Sequence, residues 1–349
     1  MTDAMEKIMN LDELNKVALA MVAPGKGILA ADESSGTIKK RFDAIGVEST
    51  EDARRDYREM LFRSAEGMKH ISGVILYDET IWQKARDGTA LVKLIEQAGC
   101  IPGIKVDEGT QPLSNCPGEL VTVGLDKLAA RLADYYKQGA RFAKWRAVID
   151  IGKDIPSMTA IHVNAHALAR YAALCQAAQI VPIVEPEVLM DGDHDIDRCY
   201  EVTQRVLNKT FQELRVQRVA LEGMILKPNM VISGKKSARQ SPVAEVAEKT
   251  IRLLKSCVPA AVPGIAFLSG GQSDEDATAH LDAMNRIGGL PWKLTFSYGR
   301  ALQAAPQKAW SGKAENVAAG QQAFAHRARM NSLASKGEWN AGLEQKQAA

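Results

Sequence analysis

The stretch GMILKPNM, residues 223–230, is a short apolar run that ends in a lysine followed by a proline. Near-continuous apolar runs are typical of strands that are buried on both faces of a parallel sheet. A lysine at the end of such a run is unexpected, because an unpaired charge is expensive to bury. The stretch therefore predicts a buried strand with polar chemistry at its C-terminal end.

Eight runs of this kind occur along the 349 residues, and most spacers between them suit one helix. Two spacers, 168–178 and 246–258, have a helical apolar face. Repeated strand–helix units predict a single α/β domain, a (β/α)8 TIM barrel over residues 1–334. An open doubly wound sheet is the alternative, but it often carries a GxGxxG turn, which this sequence lacks. The runs are GILAAD (27–32), GVILYDE (73–79), CIPGIKVD (100–107), RFAKWRAVI (141–149), VPIVEPEV (181–188), GMILKPNM (223–230), GIAFLSGG (264–271) and KLTFSYGR (293–300).

The overall composition excludes several classes of protein. The chain is 46% hydrophobic and 25% charged, which is ordinary for a globular protein, and its formal charge is +2. Such a small charge favours neither nucleic acid nor membrane surfaces, so we expect neither as a partner. No signal pattern opens the chain, no apolar run approaches about 18 residues, and the five cysteines form no CxxC. We expect a cytoplasmic protein with reduced thiols and a mobile tail over 335–349.

Charged residues stand at the ends of seven of the eight runs. One charged strand end is most simply a solvated cap, but seven together are harder to explain in that way. The C-terminal strand ends of a barrel surround one mouth, where active sites lie. Five cations and three anions at this mouth would suit a phosphorylated small molecule. These candidates are Asp32, Lys105, Lys144, Arg146, Glu185, Glu187, Lys227 and Arg300.

A second signal for phosphate lies in the last two runs. FLSGGQSDEDA (267–277) predicts a strand, a Ser-Gly-Gly turn and a helix that starts at Ser273. Glycines let backbone N–H groups approach an anion, and a helix N-terminus favours negative charge. FSYGR (296–300) adds polar groups after the eighth strand, and barrels often bind phosphate after strands seven and eight. The predicted phosphate residues are Ser269, Gly270, Gly271, Ser297, Gly299 and Arg300.

Three lysines at strand ends could act as an amine nucleophile, which must be neutral to react. Lys105 has Asp107 on its own face, which keeps its ammonium group charged. Lys144 has Arg146 on its face, which is expected to lower the pKa of Lys144. Lys227 has no charged residue two positions away, so burial is expected to act on it. These arguments exclude Lys105 and leave Lys144 and Lys227 open.

Metal chemistry has little support in the sequence. His162 and His166 are four residues apart, but no HExxH motif occurs, and a packing pair on a helix explains them more simply. The segment DGDHD (191–195) is acidic, yet it is more typical of a solvated turn and a helix start. We expect neither a metal nor another cofactor.

Several long stretches resemble class I fructose-bisphosphate aldolase, in order from about residue 10 to residue 340. The resemblance implies a metal-free barrel, usually a homotetramer. It further implies reversible cleavage of fructose 1,6-bisphosphate into dihydroxyacetone phosphate and glyceraldehyde 3-phosphate, in glycolysis and gluconeogenesis. The stretches are KGILAADESSGTIKKRFDAIG (26–46), GIKVDEG (103–109), FAKWR (142–146), VPIVEPEVL (181–189), DGDHD (191–195), LKPNMV (226–231), FLSGGQS (267–273) and LTFSYGRALQ (294–303).

The resemblance also implies residue roles. Lys227 matches the Schiff-base lysine of the family, so it is the resemblance, and not local physics, that selects it over Lys144. Glu185 matches the proton-transfer residue, and Asp32 the carboxylate that assists carbon–carbon cleavage. The other implied site residues are Glu187, Lys144, Arg146 and Lys105, the six predicted phosphate residues for the C1 phosphate, and Arg41 and Arg54 for the second phosphate.

One departure and two alternatives remain. Many family members end in a tyrosine that folds over the site, whereas this chain ends GLEQKQAA and its last tyrosine is Tyr298. We therefore expect removal of residues 341–349 to change turnover little. A related aldolase for fructose 1-phosphate or sedoheptulose 1,7-bisphosphate is one alternative, and a catalytically inactive binding protein is another. The intact Lys227, Glu185 and Asp32 argue against the second.

Overall fold

The fold is a closed barrel of eight parallel strands, as the sequence predicts. The structure is a computed structural model that describes residues 10–347. Neighbouring barrel strands are consecutive along the chain, and the last pairs with the first. The strands are β1 (Gly27–Ala31), β2 (Ile71–Leu76), β3 (Ile101–Lys105), β6 (Phe142–Ile149), β7 (Val181–Val188), β8 (Ile225–Leu226), β9 (Gly264–Phe267) and β10 (Lys293–Tyr298).

Helices connect the strands and form the outer layer. The spacers 168–178 and 246–258 lie largely within the helices Met158–Ala177 and Val243–Cys257, and a helix begins directly after Ser273, as expected. A two-stranded hairpin between β3 and β6, which the sequence did not indicate, consists of β4 (Thr110–Pro112) and β5 (Leu120–Thr122). The helices are α1 (Leu11–Met21), α2 (Ser35–Asp43), α3 (Glu51–Phe62), α4 (Ala65–Met68), α5 (Asp78–Trp82), α6 (Leu91–Gln97), α7 (Leu128–Lys137), α8 (Met158–Ala177), α9 (Ile196–Val216), α10 (Val243–Cys257), α11 (Asp274–Ile287), α12 (Arg300–Trp310) and α13 (Val317–Ala334), with 3₁₀ turns at Leu221–Gly223, Ala314–Asn316 and Ala341–Gln347.

The strand β8 is much shorter than the run 223–230 that predicts it. The 3₁₀ turn Leu221–Gly223 precedes it, and Pro228 follows it without an N–H group to continue the ladder. Lys227 nevertheless stays on the barrel wall, because its N–H donates to the carbonyl of Val184 on β7 at 2.8 Å. The backbone of Lys227, and with it the direction in which its side chain starts, is therefore fixed at the strand end.

The N-terminal end of the barrel is closed. Leu14, Ala18 and Met21 of α1 are buried in one apolar cluster with interior residues of the barrel strands, such as Phe142. Phe142 fits because Gly103 has no side chain; a Cβ there would lie 2.2 Å from the ring. This packing leaves the C-terminal strand ends as the mouth of the barrel.

Part of the predicted tail contacts the barrel. The N–H of Trp339 donates to Oδ1 of Asp282 at 2.8 Å, and Arg327 Nη1 lies 2.7 Å from Glu344 Oε2. The mobility of segment 335–349 stays a prediction, and its residues 348–349, like residues 1–9, lie outside the described part. Within residues 10–347, no helix is both long and apolar enough to cross a membrane.

Candidate active site

A cavity of about 700 Å³ opens at the C-terminal strand ends. Fourteen of the fifteen residues that the sequence indicated as site residues line this cavity, and only Arg54 does not. They come from seven of the eight barrel strands and the loops that follow them, which explains why they are scattered along the chain. The fourteen are Asp32, Arg41, Lys105, Lys144, Arg146, Glu185, Glu187, Lys227, Ser269, Gly270, Gly271, Ser297, Gly299 and Arg300.

Lys227 lies directly after β8 and is only 4% exposed. Its Nζ lies 3.1 Å from Oε1 of Glu185, which belongs to the neighbouring strand β7. Asn229, two residues further on, accepts a hydrogen bond from the N–H of Val188 at 3.0 Å and fixes the segment against β7. A buried amine with a carboxylate in hydrogen-bond reach, which can act as a general base, is compatible with an amine nucleophile.

Lys144 lies at the centre of a cluster of carboxylates. Its Nζ lies 2.9 Å from Asp32 Oδ2 and 3.6 Å from both Asp107 Oδ2 and Glu185 Oε2. Burial lowers the pKa of Lys144, but the three carboxylates outweigh burial and hold this pKa above its usual range. The expectation that Arg146 lowers it is therefore wrong, because tertiary neighbours that the strand pattern does not reveal dominate.

Two lysines keep the side chain of Asp32 ionised. Burial raises the pKa of Asp32, but the charges of Lys144 and Lys227 outweigh burial and lower it to about 2. Asp32 is thus ionised throughout the neutral range. It places a negative charge in the wall of the cavity, directly after β1.

Two further ion pairs lie at the strand ends, one at the end of β3 and one between β6 and β7. Lys105 Nζ lies 2.9 Å from Asp107 Oδ1, which agrees with the face they share in the sequence. Arg146 Nε donates to Glu187 Oε2. Burial lowers the pKa of Arg146, but Glu187 outweighs burial and raises it, so the guanidinium group stays charged. These ion pairs restrain the charged side chains around the mouth of the barrel.

The predicted phosphate turn has the backbone that its glycines suggest. Gly271 has φ +77°, and a Cβ there would lie 2.0 Å from Met190 Cγ, so both conformation and space require glycine. Ser273 then caps helix α11 by accepting the N–H of Asp276 at 3.0 Å. Nearby, the hydroxyl of Ser297 is buried without a hydrogen bond among the described residues. Helix α12 begins at Arg300, so two helix N-termini lie beside this part of the cavity.

Comparison with known proteins decides the family. A sequence model of the family described as fructose-bisphosphate aldolase class-I matches residues 13–349. The chain belongs to the class I fructose-bisphosphate aldolases. A protein of Xanthomonas campestris pv. campestris, named probable fructose-bisphosphate aldolase class 1, is 59% identical over 332 residues, which are 95% of this chain and 99% of that protein.

Two other comparisons agree with this assignment. A cytosolic fructose-bisphosphate aldolase of Arabidopsis thaliana is 53% identical over 93% of this chain and 83% of its own length. The solved structure of fructose-bisphosphate aldolase from Plasmodium falciparum, in complex with TRAP and a small molecule inhibitor, has a TM-score of 0.94 at 49% identity. It covers 95% of this chain and 96% of that one. As a member of this aldolase family, the chain is a lyase with a (β/α)8 barrel.

The charge of the aldolase cavity differs from the sequence estimate. Seven cations and six carboxylates line it, an excess of one positive charge where the strand ends alone suggest two. The difference arises because the cavity is also lined by five charged residues that were not among the eight strand-end candidates. The additional charged residues are Glu33, Arg41, Asp107, Asp191 and Lys235.

Arg54, proposed from the family resemblance as a phosphate ligand, is not brought to the aldolase cavity. Its Nε donates to Glu79 Oε1 at 2.9 Å, and its Nη1 donates to the carbonyl of Ser49 at 2.7 Å. Arg41 does line the cavity and is held there by an ion pair with Glu33. Of the two arginines, only Arg41 is placed to meet a ligand.

Sequence reasoning missed four charged residues of the cavity wall, which are Glu33, Asp107, Asp191 and Lys235. Glu33 pairs with Arg41, Asp107 pairs with both Lys105 and Lys144, and Asp191 pairs with Lys235 Nζ at 2.6 Å. Asp107 and Glu33 adjoin predicted site residues in the motifs KVD and DES, which could have signalled them. No group of three or more His, Cys, Asp and Glu side chains in residues 10–347 is arranged to hold a metal ion.

Proposed function

We propose that this aldolase cleaves fructose 1,6-bisphosphate through a Schiff base on Lys227. The observation that carries the proposal is the position of the Lys227 amine, buried beside Glu185 in a cavity lined by seven cations. Such an amine can lose its proton to the carboxylate and attack a ketone. The products are dihydroxyacetone phosphate and glyceraldehyde 3-phosphate, and the reaction is reversible.

The proposed steps balance without an added cofactor. The Lys227 amine attacks the C2 carbonyl, and loss of water leaves a protonated imine. When the C3–C4 bond breaks, its electron pair moves toward the imine nitrogen, and the C4 hydroxyl gives its proton to Glu185 or Asp32. Glyceraldehyde 3-phosphate leaves, the proton held by the carboxyl group returns to C3 of the enamine, and water hydrolyses the imine to release dihydroxyacetone phosphate and the free amine.

The remaining side chains hold the substrate. Arg300, the backbone of Ser269–Gly271 and the hydroxyl of Ser297 would bind the C1 phosphate, and Arg41 with Lys105 would bind the other phosphate. Lys144 keeps the carboxylates of the wall oriented. Fixing both ends of a flexible sugar places its C2 against Lys227, which converts binding energy into rate.

The wider setting follows from the family and is part of the proposal. We propose a role in glycolysis and gluconeogenesis, a cytoplasmic location and a homotetramer. The Arabidopsis relative, which is described as cytosolic, supports the location. Light scattering coupled to gel filtration would test the tetramer, for which a monomeric mass is the contrary result.

Borohydride reduction with dihydroxyacetone phosphate tests the central step. The expected result is a covalent adduct that peptide mass mapping assigns to Lys227, with activity that survives EDTA. An adduct on Lys144 would overturn the residue roles, and inactivation by the chelator would indicate metal-dependent chemistry. Lys227→Met should abolish both adduct and cleavage, whereas full cleavage by that variant would exclude the mechanism.

A further inference from the structure

His280 lies on α11, outside the cavity, yet it contacts the turn that carries the predicted phosphate donors. Its Nδ1 lies 2.6 Å from Oε1 of Gln272, the residue that follows Gly271. Both side chains are buried, at 7% and 6% exposure. With the amide in this orientation its oxygen accepts, so Nδ1 carries the proton in this contact. The mechanism proposed above gives neither residue a task.

Gln272 connects the two halves of the phosphate end. Its side chain is held by His280, and its backbone carbonyl accepts a hydrogen bond from Arg300 Nη2 at 2.6 Å. Arg300 belongs to α12 after β10, whereas Gln272 belongs to the turn after β9. Gln272 therefore sets the distance between the backbone N–H groups of the turn and the guanidinium group of Arg300. Both would bind the same phosphate group.

The turn needs such a restraint. Ser269–Gly271 contains two consecutive glycines, and glycine loses more conformational entropy on ordering than any other residue. Helix α11 offers a rigid support: Tyr298 donates its hydroxyl to the carbonyl of Ala277 at 2.9 Å, and Arg327 donates to the hydroxyl of Thr278 at 2.7 Å. His280 extends this support to the turn.

We propose that His280 is a positioning residue that, through Gln272, holds the Ser-Gly-Gly turn and Arg300 at the spacing that a phosphate group requires. The inference rests on the proposed function, since it assumes that the C1 phosphate binds at this end. Donors that are already aligned bind an anion more tightly than mobile donors, because binding then does not carry the entropy cost of ordering them. His280 itself touches no substrate.

The test compares His280→Leu, which removes the donor, with His280→Asn, whose side-chain amide keeps one. The measurements are KM for fructose 1,6-bisphosphate, kcat, and the Ki of inorganic phosphate as a competitive inhibitor. Loss of one hydrogen bond predicts a rise of about fivefold to tenfold in KM and Ki for His280→Leu. We expect kcat to change little, because Lys227 lies on another strand, and His280→Asn to restore both constants.

Two controls separate a positioning role from a structural one. Leu281→Ala removes buried contacts from the same helix without a hydrogen bond to Gln272, so it should lower Tm and leave Ki unchanged. Gln272→Ala removes the other partner of the hydrogen bond between His280 and Gln272. Its Ki for phosphate tests the inference if His280→Leu does not fold. A Ki of phosphate near the wild-type value in folded His280→Leu or Gln272→Ala would overturn the inference. The same holds if Leu281→Ala weakens phosphate binding as much as these variants do.

Arg300→Ala distinguishes failure of this inference from failure of the proposed function. If Arg300→Ala weakens phosphate binding and Gln272→Ala does not, the phosphate site stands and the positioning role falls. If Arg300→Ala leaves Ki unchanged, phosphate binds elsewhere, and the inference falls together with the assignment on which it rests.

Discussion

The amine of Lys227, directly after β8, lies 3.1 Å from the carboxylate of Glu185 on the neighbouring strand β7, measured from Nζ to Oε1. The second oxygen of Glu185 lies 3.6 Å from Lys144 Nζ. One carboxylate thus lies between two buried lysine side chains. In the proposed mechanism, Glu185 is therefore within hydrogen-bond reach of the Lys227 amine, with which it would exchange a proton.

Replacing Glu185 by glutamine removes the proton acceptor and keeps the shape. We expect kcat to fall about 100-fold to 10,000-fold, the usual contribution of general acid–base catalysis, with little change in KM. Steady-state kinetics on fructose 1,6-bisphosphate measure this effect. A kcat close to that of the wild type would transfer the proton-transfer role to Asp32.

Replacing Lys144 by methionine leaves three carboxylates without their shared cation. Breaking a buried ion pair from one side destabilises a protein by about 3–5 kcal/mol, so the free energy of unfolding in urea should fall by that order. Lys137→Met is the matched control, because its ion pair with Asp134 is exposed and contributes about 0–1 kcal/mol. Adding Asp107→Asn to Lys144→Met should recover part of the stability; a further loss would contradict the electrostatic explanation.

Arg41 and Arg54 should differ in their effect on substrate binding. Arg41→Ala is expected to raise KM for fructose 1,6-bisphosphate about 10-fold to 100-fold, as for loss of a charged hydrogen bond, and to leave KM for fructose 1-phosphate unchanged. Arg54→Ala should leave both KM values unchanged, because its guanidinium group is bound to Glu79. A selective rise in KM with Arg54→Ala would restore the role that the family resemblance suggested.

His280 should make stability depend on pH. Burial lowers the pKa of His280 to about 4, whereas an unfolded histidine titrates near 6.5. Between these values the unfolded chain binds a proton that the folded chain does not, so stability falls as pH falls. Integration from pH 7 to pH 5 gives a loss of about 2 kcal/mol. Urea unfolding at both pH values should show that the free energy of unfolding of His280→Asn falls less between pH 7 and pH 5 than that of the wild type. An identical pH dependence in the two proteins would contradict the prediction.

Removing residues 341–349 should lower stability and change turnover little. The deletion removes Glu344, which pairs with the buried Arg327, and loss of a partner for a buried polar group costs about 1–3 kcal/mol. Glu344→Gln, which removes only the charge, should reproduce part of the fall in Tm. A large loss confined to enamine protonation, visible in proton exchange at C3 of dihydroxyacetone phosphate, would instead assign the tail a catalytic task.

Much of the site could be predicted because of how a barrel is built. Runs such as VPIVEPEV (181–188) show where a buried strand ends, and all strand ends of a parallel barrel meet at one mouth. Lys144, Glu185 and Lys227 could thus be expected together without knowledge of their distances. The family resemblance then selected Lys227, which the local pattern did not.

The chain by itself determined the barrel, the mouth and most of the residues that line the cavity, since apolar periodicity and strand-end chemistry are local properties. Tertiary structure alone decided which charges meet. Lys144 stays charged because carboxylates from β1, β7 and the loop after β3 surround it, and Arg54 turns away because Glu79 binds it. Electrostatic effects depend on distances in space, and residues far apart along the chain set these distances.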